Sequence, residues 1–151
     1  MINLEERNRK IIDAVIRKAN TVCPESLALI GINGSFMTGD FYEKSDLDLL
    51  ILINDDRGWQ LGCSMIQDDL QVGHDIYCTR WEDLQFDANY EHPNISKLMD
   101  SEIVYCADEK YQEKLLALRQ KAKDILEAPF SGEDYEKAEK ELREAEHCYA
   151  M

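Results

Sequence analysis

The sequence predicts an α/β (α+β) domain: a small mixed β-sheet flanked by helices, with a C-terminal helical extension. Three observations predict it. Short apolar runs at 27–33, 47–53 and 72–79 carry strand-like composition and are bounded by turn residues. Segments of helical period separate and flank them, which is the pattern of a sheet covered by helices. The chain has 151 residues, 44% hydrophobic and 32% charged, enough for one ordinary domain with a real core.

The elements follow in order. Asn3 and Glu6 form a capping box, and Ile11, Ile12, Val15, Ile16 and Ala19 recur at helical spacing, so a first helix runs to about Thr21, before Pro24. LALIGIN (27–33) reads as a buried strand that breaks at Gly34. Ser35 to Thr38 suits a brief helical turn stopped by Gly39, and Leu47 to Ile53 is a strand closed by NDDRG. WQLGCSMIQ (59–67) predicts a helix, at a cost of roughly 1 kcal/mol for Gly62. VGHDIYCT (72–79) alternates as a half-buried strand, WEDLQFDAN and ISKLMDS read as helices, and IVYCA reads as a short strand. A long helix over 109–127 places Tyr111, Leu115, Leu118, Ala122, Ile125 and Leu126 on its buried face. APFSG (128–132) is the linker, dividing a main domain, 1–128, from a C-terminal helix, 129–151. That helix carries Tyr135, Ala138, Leu142, Ala145 and Tyr149 at alternating steps of three and four, a stripe for intramolecular packing or for a partner.

The chemistry concentrates in GSFMTGDFYEKSDLDLLILI, residues 34–53. Alternation along a strand puts Asp46 and Asp48 on one face and Leu47, Leu49 and Ile51 on the other. Two positions span roughly 6.5–7 Å, so both carboxylates can reach one metal centre. Without a cation the two charges would raise each other's pKa and destabilise the fold. Mg2+, which takes one or two carboxylates and completes its shell with substrate phosphates, suits them best. Asp75, on a later strand, brings a third carboxylate if the two strands are neighbours. Three converging acids can hold two ions on the attacking and leaving oxygens of a phosphoryl or nucleotidyl transfer. Gly34 lets the backbone approach a phosphate closely, and Ser35 adds a hydroxyl donor.

The pattern G-S-x-x-x-G-x-x-x-x-x-S-D-x-D, here Gly34, Ser35, Gly39, Ser45, Asp46 and Asp48, resembles the signature of the polymerase-beta-like nucleotidyltransferase superfamily. The resemblance covers about residues 26–80, and within the superfamily it points to the small bacterial branch of antibiotic adenylyltransferases and minimal nucleotidyltransferase antitoxins. It implies the nucleotidyltransferase fold, with Asp46, Asp48 and Asp75 as catalytic metal ligands. It implies nucleotide binding by Gly34, Ser35 and Ser45, and transfer of AMP from ATP, or of another nucleotide, to an acceptor hydroxyl. Phe36, Met37 and Thr38 stand where the antitoxin branch usually shows an arginine. The antibiotic-modifying branch usually carries a full C-terminal helical domain, so either the chain is part of a longer protein or a second subunit completes the site.

A formal charge of −14, from 31 acidic and 17 basic residues, argues against a nucleic-acid partner and suits a cationic small-molecule acceptor such as an aminoglycoside. The alternatives are an antitoxin-type transferase acting on a helical partner protein, and a silent nucleotide-binding module. A homodimer through the C-terminal helix is a further option. Five cysteines with no CxxC pair read as reduced thiols of a cytoplasmic protein, with Cys63, Cys78 and Cys106 in apolar surroundings. No run reaches membrane-spanning length. His74 faces away from Asp75 and reads as a core or surface histidine, His92 as structural and His147 as solvated. Trp59 and Trp81 read as packing residues or as an aromatic platform for a nucleobase. Tyr42, Lys44 and Arg57 are candidate substrate contacts by proximity to the motif, whereas Asp40 and Glu43 read as solvated loop acids.

Overall fold

A computed structural model describes residues 4–33, 47–67, 72–89, 96–127 and 132–150. Helix α1 (Leu4–Val22) leads into strand β1 (Leu27–Asn33), with Glu25 at φ 69° in the turn between them. Strand β2 (Asp48–Ile53) follows, then a 3-10 helix (Asp56–Leu61), strand β3 (Cys63–Gln67) and strand β4 (Val72–Arg80). Helices α2 (Trp81–Ala88) and α3 (Ser96–Asp100) precede strand β5 (Glu102–Cys106), and helices α4 (Glu109–Glu127) and α5 (Gly132–Ala150) close the chain.

The sheet is mixed and five-stranded, in the order β3-β4-β2-β1-β5. β2 pairs antiparallel with β1 and parallel with β4, while β3 and β5 add antiparallel edges. β2 is therefore central, and its LLILI run is buried on both faces. One face, with Ile30, Leu49, Ile51 and Ile76, packs against Val15 and Ala19 of α1. The other, with Leu29 and Leu52, packs against Trp81 and Leu84 of α2, Leu98 of α3, and Leu115 and Ala122 of α4. Each fully buried Leu or Ile contributes about 1.5–3 kcal/mol, so this double burial anchors β2 firmly.

Several expectations are corrected. Residues 59–67 are not one helix: Gly62, at φ −69° and ψ 136°, ends the 3-10 helix and lets the chain extend into β3. Trp59 is 45% exposed, so it is not a core residue, and Cys63 is exposed rather than held among apolar neighbours. Ile125 and Leu126, expected on the buried face, are exposed in the last turn of α4. The described part of the α5 stripe is also solvent-facing, with Tyr135 and Leu142 at 67% and 60% exposure. The capping residue Asn3, the turn at 35–38, His92 and residues 128–131 of the linker lie outside the described residues. All five thiols are free, and burial raises the pKa of Cys23 and pushes Cys78 up to about 11. Among the described residues no helix is long and apolar enough to cross a membrane.

Candidate functional site

Register decides what the start of β2 can do. Asp48 is the Cα partner of Asn33 on β1 and of Asp75 on β4, and Asp75 is the partner of Ser64 on β3. One row thus crosses four strands at one end of the sheet, with neighbouring strands about 4.8 Å apart. Residues paired across a ladder share a face. Asp48, Asp75 and Asn33 therefore lie on the α2–α4 side, opposite Leu49 and Ile76, which lie in the α1 core. Asp48 is half-buried and Asp75 exposed.

The backbone under this row is tied down. The Asp75 N–H donates to the Leu47 carbonyl at 3.1 Å, and the Leu47 N–H donates to Nδ1 of His74 at 2.9 Å. His74 is buried, and its accepting Nδ1 carries no proton in this bond, so the ring acts as a neutral prop for the chain entering β2. The alternation that turns Asp75 outward turns His74 inward, as the sequence implied.

Tyr77 follows Asp75 on the same face. Burial raises its phenol pKa, the nearby Asp48 and Asp75 charges add to the rise, and a hydrogen bond from Asn33 opposes it. Asn33 and Tyr77 went unrecognised as site residues in the sequence. The available signal was a lone amide at the end of an otherwise apolar strand, LALIGIN.

Asp48 and Asp75 are thus brought together, whereas Gly34, Ser35, Ser45 and Asp46 lie outside the described residues, as do Asp40, Tyr42, Glu43 and Lys44. Among the described residues no group of three or more His, Cys, Asp or Glu gathers at metal-binding range. The Asp48–Asp75 pair itself fits a divalent cation: two oxygen donors of like charge stand on adjacent strands with their spacing fixed by the ladder. Arg57 is not near this row. It follows the far end of β2, where its guanidinium donates to Asp55 and to the Pro24 carbonyl. Trp81 is also remote: its Nε1 donates to Asn54 just beyond Ile53, and its ring stacks on Tyr111. Neither tryptophan is a nucleobase platform for this row, and His147 is exposed as expected.

A family model described as a nucleotidyltransferase domain matches residues 9–146. No curated protein sequence matches the chain. A solved structure described as "Crystal structure of the toxin-antitoxin with AMP-PNP" is similar over 78% of this chain and 89% of that one, at 16% identity and a TM-score of 0.44.

Proposed function

The chain belongs to the nucleotidyltransferase domain family, and from that premise we propose that it moves AMP from ATP to a hydroxyl of a cationic small molecule, such as an aminoglycoside antibiotic. The observation that carries the metal-dependent reading is the Asp48–Asp75 register pairing on adjacent parallel strands. In this reading Asp46, Asp48 and Asp75 hold two Mg2+ ions, and Gly34, Ser35 and Ser45 hold the nucleotide's phosphates. When bound, the ions would neutralise charge on the transferring group and favour deprotonation of the acceptor hydroxyl. The chain itself orients the reactants: the buried β2 fixes Asp48, His74 props the backbone before it, and the ladder sets Asp75 beside it. Residues 1–128 form the catalytic domain in this reading, and 129–151 a helical extension. The net charge of −14 supports a cationic acceptor.

A protein acceptor is the second reading, favoured by the exposed Tyr135 and Leu142 on α5. Incubation with α-labelled ATP, Mg2+, an aminoglycoside panel and cell extract separates the two. Label on a small molecule supports the first reading, and label on a protein band supports the second. Mg2+ with ATP at a hundredfold over its Kd is expected to stabilise the protein by about 2.7 kcal/mol. Asp48→Asn with Asp75→Asn should abolish that gain. No stabilisation by any nucleotide and divalent cation would refute metal-dependent nucleotide binding.

A further inference from the structure

Strands β1 and β4 are not neighbours, because β2 lies between them. Yet Asn33 at the end of β1 donates from Nδ2 to the Tyr77 hydroxyl on β4, at 2.5 Å. The two side chains together span two strand spacings, roughly 10 Å. Asn33 is the partner of Asp48, and Tyr77 is the partner of Leu50. The bond therefore crosses the face of β2 at the step from Asp48 to Leu50, on the face that carries Asp48. The other end of the Asn33 amide is also engaged, since its Oδ1 accepts from the Ser101 hydroxyl. Ser101 is held in turn by Arg119 of α4, which donates to the carbonyls of Ser101 and Leu98. Gly31 makes this approach possible: a Cβ there would stand 3.0 Å from the Ser101 Cβ.

We propose that Asn33 and Tyr77 are positioning residues for nucleotidyl transfer, their hydrogen bond keeping the Asp48 carboxylate from folding back over Leu50 and presenting it beside Asp75 for a divalent cation. The inference rests on the metal-dependent reading above. The bridge touches no reacting atom. It acts through Asp48, as outer hydrogen-bond partners orient metal-ligating groups elsewhere. A second Asn–Tyr bond supplies the control. Asn54 donates to the Tyr111 hydroxyl at 2.8 Å, beyond the opposite end of β2. A brace of the same chemistry therefore exists far from the carboxylates.

The test is the Kd for Mn2+ in the presence of a non-hydrolysable ATP analogue, read from the free-Mn2+ electron paramagnetic resonance signal. Tyr77→Phe, which keeps the ring and its packing, should weaken binding roughly 10–100-fold, and so should Asn33→Ala. The double variant should lose no more than the worse single one, because both remove one bond. Tyr111→Phe should bind as the unaltered protein does. Unchanged binding by Tyr77→Phe, an equal loss in Tyr111→Phe, or additive losses in the double variant would overturn the positioning role while leaving the metal reading in place. If the unaltered protein binds no Mn2+, or Asp48→Asn with Asp75→Asn binds equally well, the metal reading falls and the positioning role falls with it.

Discussion

At the exit of β2 the Asp55 carboxylate accepts from the Arg57 side chain at 3.1 and 3.0 Å, from the Arg57 N–H at 3.0 Å and from the Ser26 hydroxyl at 3.0 Å. Hydrogen bonding by Arg57 is the main cause that lowers its pKa to about 2. The folded pKa therefore lies below the unfolded value of about 3.9. The sign follows: the stabilisation is fully present above about pH 4 and is lost as the pH falls through about 2. Urea unfolding of the protein and of Asp55→Asn should show a stability gap at pH 6 that narrows steadily toward pH 2. A gap independent of pH would show that the charge is not what the arginine recognises. Nearby, Gly58 leaves no room for a side chain, since a Cβ there would lie 2.4 Å from Cγ2 of Ile53 and 2.8 Å from Oγ of Ser26. Gly58→Ala should destabilise the fold by about 1–3 kcal/mol through overpacking, measured as a lower urea midpoint with an unchanged slope.

Among the elements, what the sequence made legible is what periodicity and turn chemistry dictate. The strand over 27–33 and the helix over 109–127 lie where the pattern put them, because LALIGIN is apolar between turns and the long helix alternates steps of three and four. β3 was illegible for a physical reason. It is an edge strand whose pairing partner, β4, comes later in the chain, so CSMIQ carries no strong local preference of its own. Asp48 and Asp75 were legible as acids on strands, but their pairing was conditional on a parallel register that needs an intervening crossover. Asn33 and Tyr77 meet only because β2 separates their strands by one step, which no local pattern encodes. Arg57 misled because nearness in sequence to the motif is distance in space once β2 runs between them. α5 shows the limit of amphipathicity as evidence of packing, since its described side chains are solvent-facing despite the stripe. If α5 adds nothing to the core, a chain ending at residue 131 should melt within about 1 °C of the full one, inside the shift of about 2–4 °C that 1 kcal/mol produces at this size. A drop of several degrees would show that the helix is part of the domain.

Over the whole molecule, acidity is the dominant electrostatic fact: 31 acidic against 17 basic residues. The ion pairs Lys10–Glu6, Lys140–Glu144 and Arg143–Glu139 are exposed i,i+4 helix pairs, which contribute little. Repulsion within the folded chain is therefore poorly compensated and should weaken as salt screens it. Raising ionic strength from about 10 to 150 mM shortens the Debye length from about 30 to 8 Å, so Tm should rise with KCl. Under the proposed metal-dependent reading, the paired carboxylates add a term that screening alone does not reproduce. At matched ionic strength MgCl2 should raise Tm beyond KCl, because a cation held between Asp48 and Asp75 acts at contact distance rather than through the ion atmosphere. Replacing both acids by Asn removes the repulsion and the cation's purchase together. That variant should melt at or above the unaltered protein in low salt without Mg2+, and its response to MgCl2 should match its response to KCl. A double variant that melts lower in low salt and still gains specifically from Mg2+ would place the acidic molecule's cation-binding centre away from the β2–β4 row.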